Sequence, residues 1–177
     1  MMKLSKRIVL VGRAASGKDF FKNYLIEKGF IPSVSHTTRP MRDGEINGDT
    51  YEFVSEEDFT FMTCNDQFFE YKMFNGWGYG TSQLMWDTAE VFIFTPEGIR
   101  SLPQSDIDES TIVYFDIPMD VRMSRMEERS DCDSISRRLA ADNVDFDKFD
   151  NFDIKVTKPD FDPQELLKLI ITHSIVC

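Results

Sequence analysis

The sequence predicts an α/β fold, in which a parallel five-stranded core sheet is flanked by helices on both faces. Apolar runs without alternation, the first at residues 8–11, are typical of strands that are buried on both faces. Helical patterns with recognisable start signals separate these runs, and that order favours parallel strands joined by helices. The length of 177 residues suits one domain with a substantial core.

The individual elements follow in order along the chain. The predicted core strands span residues 7–11, 30–35, 91–94, 111–115 and 152–156. Helices are predicted at residues 20–28, after the caps Ser55 and Ser82, after Thr95-Pro96, from Pro118 onward, after Ser134 and after Asp162. Residues 36–82 differ, because two strands around Asn75-Gly76 give a hairpin signal. This segment is therefore predicted to be a small β-rich insertion.

The turn between the first strand and the first helix, GRAASGKD at residues 12–19, predicts a phosphate site. A strand, a glycine-bounded turn, a lysine and a helix in this order form a P-loop. Main-chain N–H groups converge on a phosphate there, while the helix dipole and Lys18 add positive charge. The residues predicted to bind the phosphates are Gly12, Ala14, Ala15, Ser16, Gly17, Lys18, Asp19 and Phe20. Without this context, the segment would be an ordinary turn before an amphipathic helix.

Charge and composition limit the possible partners. The formal net charge of −11 argues against nucleic acid or an anionic membrane as a general partner, and no apolar run is long enough to span a bilayer. The three cysteines are far apart and odd in number, and we recognise no signal peptide, so we expect reduced thiols and a cytoplasmic protein. A monomer and a homodimer both remain open.

Inside the insertion, two arginines are candidate phosphate contacts. Arg39 and Arg42 lie beside hydroxyl side chains, and guanidinium groups bind phosphate oxygens in a bidentate manner. Most surface arginine pairs are simply solvated, however, and Glu70, in an alternating strand, would ordinarily face water. Spacing alone leaves both interpretations open.

Several short segments resemble the guanylate kinase family. They are SVSHTTR at 33–39, GEING at 44–48, YEFVS at 51–55, FFE at 68–70 and YGTS at 79–82, with SISRRL at 134–139 as a looser match. The resemblance implies a P-loop kinase fold with a core (1–35, 83–121 and 139–177), a monophosphate-binding insertion (36–82) and a short helical lid (122–138). It also implies transfer of the γ-phosphoryl group of ATP, with Mg²⁺, to GMP or dGMP.

The same resemblance assigns roles to individual residues. The catalytic cations would be Lys18, Arg39, Arg125 and Arg138, which neutralise the charge of the transferred group. The residues that would bind GMP are Ser35, Arg39, Arg42, Tyr51, Glu70, Tyr79, Thr81 and Thr95. Glu70 would accept hydrogen bonds from the N1–H and amino groups of guanine. Adenine lacks both donors and would leave that carboxylate unpaired.

Four positions depart from the family pattern. Asp19 stands where a serine or threonine usually binds Mg²⁺, and we expect its carboxylate to be a metal ligand. The alternative is that Asp19 only caps the first helix, and that phosphates and water hold the magnesium. Ile93 and Thr95 stand where the family usually has two acids, one of which helps hold hydrated Mg²⁺ and the other the guanine amino group. We expect Asp19 to return part of the lost carboxylate, and we expect guanine preference to survive in a weaker form through Glu70 and Ser35. Gly78 stands where relatives often carry an aromatic residue, and we expect a wider base pocket.

Two other functions are compatible with parts of the sequence. A P-loop kinase for another phosphorylated small molecule, such as another nucleoside monophosphate or ribose bisphosphate, would share the Gly-Lys-Asp ending. An inactive interaction module that resembles guanylate kinase would share the insertion. The cations Lys18, Arg125 and Arg138 argue against the inactive module. The set of guanine contacts argues against a sugar phosphate.

Overall fold

The computed structural model describes residues 7–74, 76–128 and 146–176. The chain forms two compact units, of which the first comprises Met1–Phe30 and Val91–Cys177 and the second comprises Ile31–Glu90. The P-loop lies in the first unit and the inserted hairpin in the second. Each unit has its own sheet.

The bounds of the described elements agree closely with the helix and strand signals in the sequence. The strands are β1 (Arg7–Gly12), β2 (His36–Thr37), β3 (Glu52–Phe53), β4 (Phe68–Phe74), β5 (Trp77–Ser82), β6 (Val91–Phe94), β7 (Ser110–Phe115) and β8 (Ile154–Val156). The helices are α1 (Lys18–Glu27), α2 (Glu56–Cys64), α3 (Gln83–Thr88), α4 (Pro96–Ser101), α5 (Gln104–Asp108), α6 (Met119–Glu128) and α7 (Pro163–Val176). The strand predicted from residue 152 begins two residues later, at Ile154.

The sheet of the first unit has the spatial order β6-β1-β7-β8, and its paired strands are parallel. β1 lies between β6 and β7, with Val11 opposite Phe94 and Gly12 opposite Phe115. The carboxyl ends of these three strands therefore meet where the P-loop begins. This edge is where open α/β sheets bind ligands.

The core of the first unit explains the apolar sequence of β1. Ile8 and Leu10 pack with Phe21 of α1 and Ile170 of α7 in one buried cluster. Val9, which points to the opposite face because side chains alternate along a strand, has no exposed surface. Burial on both faces leaves residues 8–11 of β1 no position for a polar side chain, which is why this stretch does not alternate.

The predicted fifth core strand, residues 30–35, is wrong. Among the described residues, the sheet of the first unit has four strands. The main-chain N–H of Ile31 donates to the Glu90 carboxylate (3.0 Å), and its carbonyl accepts from the Glu90 N–H (2.8 Å). Pro32 has no N–H with which to continue a ladder. Ile31 and Ser35 are therefore bonded to residues of the second unit.

The sheet of the second unit has the order β3-β2-β5-β4. Strands β4 and β5 form an antiparallel hairpin with Phe74 opposite Trp77, which confirms the predicted hairpin. Gly76 in its turn has a φ of 83°, a left-handed conformation that glycine adopts without strain. The register shifts between Phe68 and Glu70, and Glu70 then lies opposite Thr81.

Four of the predicted helix starts are confirmed by their caps, and the start predicted after Ser134 lies outside the described residues. The cap bonds are Asp58 N to Ser55 Oγ (3.0 Å), Met85 N to Ser82 Oγ (3.3 Å), Gly98 N to Thr95 Oγ1 (3.3 Å) and Gln164 N to Asp162 Oδ1 (2.8 Å). Each cap satisfies an N–H that has no partner inside its helix. These starts depend on residues within one turn, so the local sequence suffices to find them.

Candidate active site

The P-loop has the backbone of an anion-binding nest. Gly17 (φ 97°) and Ala15 (φ 57°) both adopt left-handed conformations, which turn successive N–H groups toward one side. At Gly12 a Cβ atom would lie 2.7 Å from Ser16 Oγ and 2.8 Å from the Phe115 carbonyl oxygen. Glycine at position 12 therefore lets the loop pass closely over β7. Gly17 is the N-cap of α1, so the positive end of that helix faces the loop.

Lys18 lies over this loop and is held by its backbone. The Lys18 ammonium donates to the carbonyl of Gly12, to the carbonyl of Arg13 (2.9 Å) and to Ser16 Oγ (3.4 Å). An ammonium group held within the loop is already close to where phosphate oxygens would bind. This position agrees with the role predicted for Lys18.

Two arginines of α6 hold two further carbonyl groups of the loop. Arg122, 4% exposed, donates to the carbonyl of Ala14 (3.5 Å). Arg125 donates to the carbonyl of Ala15 (3.2 Å) and to that of Pro159 (2.9 Å). The two arginines lie three residues apart, on one face of the helix. Sequence reasoning assigned no role to Arg122, although this spacing from Arg125 could have indicated one.

Asp19, Phe20 and Thr95 lie around the same end of the sheet. Asp19 is an exposed acid in the first turn of α1. Phe20 is 58% exposed, and its ring contacts Phe161 at a centroid distance of 5.8 Å. Thr95 directly follows β6, and its hydroxyl caps α4. The described residues contain no group of three or more acidic, histidine or cysteine side chains that could bind a metal.

In the second unit, Arg39 is buried in a polar and aromatic setting. It is 5% exposed and donates to Glu45 Oε1 (2.7 Å) and to the Pro40 carbonyl (2.7 Å). Its guanidinium lies 5.5 Å from the ring centroids of both Tyr51 and Phe53. The simple alternative for Arg39, a solvated surface arginine, is therefore wrong.

Glu45 joins the two arginines of the predicted phosphate clamp. Its second oxygen accepts from the main-chain N–H of Arg42 (2.7 Å), whose side chain is exposed. Burial alone would raise the pKa of Glu45, but the hydrogen bonds from Arg39 and Arg42 and their charges lower it overall. Burial likewise opposes the charge of Arg39, but Glu45 raises the pKa of that guanidinium. Sequence reasoning assigned no role to Glu45, because no periodic pattern relates it to Arg39.

Tyr51 and Tyr79 lie beside the clamp. Their rings meet edge to face at a centroid distance of 6.0 Å. Both tyrosines are partly buried, and both lie close enough to Arg39 to influence its pKa. The structure thus brings together Arg39, Tyr51 and Tyr79, three residues that the sequence predicted to share a phosphate.

Glu70 and Thr81 form a pair across the hairpin. The Thr81 hydroxyl, which is fully buried, donates to Glu70 Oε1 (2.8 Å). Burial raises the pKa of Glu70, and the hydrogen bond from Thr81 and the charge of Lys72 offset only part of this effect. Glu70 is partly buried, so the simple alternative, a fully solvated outward residue, is wrong. Ser35, predicted to contact the base, is partly buried, and its carbonyl accepts from Glu52 N (3.0 Å).

The expectation of a wider pocket at Gly78 is wrong. A Cβ atom at this position would lie 2.7 Å from the ring of Phe59. The Phe59 ring, which is 5% exposed, occupies the space that a side chain at position 78 would need. Gly78 therefore admits a core aromatic residue of α2. The predicted cation Arg138 and the lid beyond Glu128 lie outside the described residues.

The comparisons with known proteins decide the family. A family model described as guanylate kinase matches residues 4–173. The chain belongs to the guanylate kinase family. The guanylate kinase of Legionella pneumophila strain Paris is 32% identical over 180 aligned residues, which cover 94% of this chain and 86% of the relative. That of Chlorobium luteolum is 31% identical over 164 residues, which cover 85% of this chain and 82% of the relative.

A solved guanylate kinase has the same fold. The crystal structure of guanylate kinase from Anaplasma phagocytophilum superposes with a TM-score of 0.70 at 20% identity, and the match covers 98% of this chain and 87% of that one. The predicted family and α/β fold are confirmed, apart from the number of core strands. The predicted enzyme class, an ATP-dependent nucleoside monophosphate kinase, is confirmed with them. No helix among the described residues is both apolar and long enough to cross a bilayer.

Proposed function

We propose that this protein transfers the γ-phosphoryl group of ATP to GMP or dGMP, giving ADP and GDP or dGDP. The observation that carries the proposal is the pair of Glu70 and Thr81 in the second unit. A carboxylate that is partly withdrawn from water and oriented by a hydroxyl suits the adjacent N1–H and amino donors of guanine. A base without those donors would leave the carboxylate unsatisfied, at a cost of about 1–3 kcal/mol.

Recognition of guanine then depends on residues of the second unit. Thr81 directs its hydrogen to Glu70, so its part is to orient the carboxylate. Ser35 would accept a hydrogen bond from the amino group. Thr95 contributes little, because its hydroxyl already accepts the N–H of Gly98 as the cap of α4.

The donor phosphates of ATP would bind at the P-loop. Its N–H groups and the N-terminus of α1 supply the nest, and Lys18 supplies a charge that is already held in place. Arg125 would act partly by holding the Ala15 carbonyl away from the phosphates. Phosphoryl transfer needs little covalent help from a protein, so positioning and charge neutralisation are the main contributions.

The phosphate of GMP would bind to Arg39, Arg42, Tyr51 and Tyr79. The guanidinium of Arg39 is fixed by Glu45 before any ligand arrives, so little freedom is lost on binding. Glu45 also fixes the backbone at Arg42. One carboxylate thus prepares both arginines for a dianion.

Magnesium fits the donor set beside the P-loop. Mg²⁺ prefers oxygen ligands and is usually held by one or two carboxylates, substrate phosphates and water. Asp19 offers an exposed carboxylate next to Lys18, whereas Ile93 and the capping Thr95 offer none. Asp19 would hold the ion directly or through water. When bound, the ion would neutralise phosphate charge.

The proposal also includes a cytoplasmic location and a monomeric or homodimeric state. The exposed free thiol of Cys64 suits a reducing compartment. Light scattering after size exclusion would measure the oligomeric state, and cell fractionation would measure the location.

A coupled assay of ADP release with ATP and GMP, dGMP, AMP, CMP, UMP, dTMP or ribose bisphosphate tests the function. We expect activity with GMP and dGMP about 10- to 10²-fold above that with AMP, because an unpaired and partly buried carboxylate costs about 1–3 kcal/mol. Preference for another acceptor would contradict the guanine assignment. Absence of activity with every acceptor would favour the inactive module.

A second assay tests Asp19 as the metal ligand. We expect Asp19→Ser to raise the Mg²⁺ concentration for half-maximal activity about tenfold, because it replaces a charged oxygen ligand by a neutral one. Glu27→Gln at the far end of α1 is the matched control and should leave this concentration unchanged. An unchanged requirement in Asp19→Ser would mean that Asp19 serves only the helix N-terminus.

A further inference from the structure

The P-loop is tied to the end of β7 by a charged pair that phosphate binding does not by itself require. Gly12 lies opposite Phe115, so Arg13 and Asp116 leave the two strands side by side. Arg13 Nη1 donates to Asp116 Oδ1 (3.1 Å) and to the hydroxyl of Tyr114 (2.8 Å). The pair is largely shielded from water, since the side chains are 21% and 32% exposed.

Asp116 is held from three sides. The Tyr114 hydroxyl also donates to its Oδ1 (3.1 Å), and the Lys155 ammonium contacts its Oδ2 at 2.8 Å. Its main-chain N–H donates to the carbonyl of Val156 (2.8 Å). Burial alone would raise the pKa of Asp116, but Lys155, Tyr114 and Arg13 lower it overall, so the group is ionised at neutral pH. The carboxylate therefore connects β1, β7 and β8.

The guanidinium of Arg13 is also fixed by aromatic rings. It lies 5.0 Å from the ring centroid of Phe146. Phe146 in turn stacks on Tyr114 at a centroid distance of 5.8 Å and an interplanar angle of 15°. A long side chain that is restrained at its charged end restrains the backbone from which it starts.

That backbone holds the catalytic lysine. The carbonyl of Arg13 accepts from the Lys18 ammonium (2.9 Å) and from the N–H of Ser16 (3.3 Å). A rotation of the Arg13 peptide would therefore displace the ammonium and open the turn. The chain of contacts runs from Asp116 through the Arg13 side chain to its carbonyl and so to Lys18.

We propose that Arg13 and Asp116 are positioning residues of the ATP site, which anchor the start of the P-loop to β7 and fix the carbonyl that holds Lys18. This inference rests on the proposed function only in taking ATP as the ligand of the P-loop. Strand β6 lacks the carboxylate with which the family usually helps to hold Mg²⁺. Asp116 does not supply it, because both of its oxygens already contact cations.

Isothermal titration calorimetry with ATP alone, and separately with GMP alone, tests the proposal. We expect Asp116→Asn and Arg13→Met each to raise the Kd for ATP about fivefold and the double variant to raise it no further, because the two residues act as one pair. The Kd for GMP should stay within twofold of wild type. Lys155→Met is the matched control: it removes the other cation of Asp116 and should leave the Kd for ATP within twofold.

Three results would overturn the proposal. They are a folded Asp116→Asn variant with an unchanged Kd for ATP, one with tighter ATP binding, and equal weakening by Lys155→Met. If Asp116→Asn fails to fold, Arg13→Lys replaces it with the same expectation, because an ammonium lacks the planar fork that reaches Asp116 and Tyr114 together. A wild type that binds ATP but phosphorylates no nucleotide would contradict the proposed function and leave this test valid. A wild type that does not bind ATP would overturn both.

Discussion

The two units build their candidate binding sites by different means. In the P-loop unit, the cations Lys18, Arg122 and Arg125 bond mainly to main-chain carbonyls. In the inserted unit, the decisive contacts join side chains, as in Arg39 with Glu45 and Glu70 with Thr81. The first arrangement shapes a backbone, whereas the second presents particular functional groups.

This difference corresponds to what each site would recognise. A triphosphate is the same in every nucleoside triphosphate, so N–H groups in a fixed loop suffice for it. A purine is distinguished by its pattern of donors and acceptors, which only side chains of matching chemistry can read. Changes in the first unit should therefore alter rate or ATP affinity, and changes in the second should alter the choice or affinity of the acceptor.

The largest effect is expected for Lys18→Met. Loss of the ammonium that the Gly12 and Arg13 carbonyls hold should lower kcat about 10³-fold, because the two arginines of α6 bond to other carbonyls of the loop. Lys22→Met, one turn further along α1, is the matched control and should retain nearly full activity. Initial rates at saturating ATP and GMP measure this. A loss smaller than tenfold would show that Lys18 is not central to the reaction.

A smaller effect, but one on specificity, is expected for Glu70→Gln. The variant should lose about 10²-fold in kcat/KM for GMP. Glutamine has one acceptor oxygen, and its NH₂ group would face a donor of guanine without forming a hydrogen bond. The KM for ATP should not change. Glu57→Gln, exposed on α2, is the matched control. Equal losses for GMP and AMP would place Glu70 outside base recognition.

The raised pKa of Glu70 predicts that stability and the KM for GMP depend on pH. Since burial raises its pKa, the folded protein holds this proton more tightly than the unfolded chain does. The resulting contribution to stability is complete below the pKa of the unfolded chain and is lost as the pH rises through the folded pKa. Glu70→Gln should therefore gain stability relative to wild type as the pH rises through this window. In wild type the KM for GMP should rise as the pH falls through the same pKa.

The smallest effect is expected for Glu45→Gln, which tests the preparation of the arginine clamp. We expect the KM for GMP to rise about tenfold, because a neutral partner holds Arg39 less firmly, while the KM for ATP stays constant. Glu52→Gln is the control in the same unit. A lower KM for GMP would instead mean that Glu45 competes with the phosphate for Arg39.

Most of the fold could be predicted because its signals are local. The caps Ser55 and Thr95 act within one turn, and the hairpin follows from residues around Gly76. The false core strand at 30–35 had a suitable apolar pattern. Its hydrogen-bond partner, Glu90, is 59 residues away from Ile31, and no local signal indicated it.

The candidate site was predictable where a motif or family resemblance carried it, as at Lys18, Arg39 and Glu70. The residues that hold these three side chains or their backbone in place could not be predicted. Glu45 lies in a turn without periodicity, and Asp116 is 103 residues from Arg13. Supporting residues have no required spacing along the chain, so no pattern marked them.

The sequence by itself determined most of the strands and helices, the P-loop and the family, since these depend on neighbouring residues in fixed order. Only the tertiary structure decided which charges pair, that residues 30–35 form no core strand, that Glu70 is partly buried and that Phe59 fills the space over Gly78. Hydrogen bonds and ion pairs form between atoms within about 4 Å of each other in space, and folding alone brings distant parts of the chain that close.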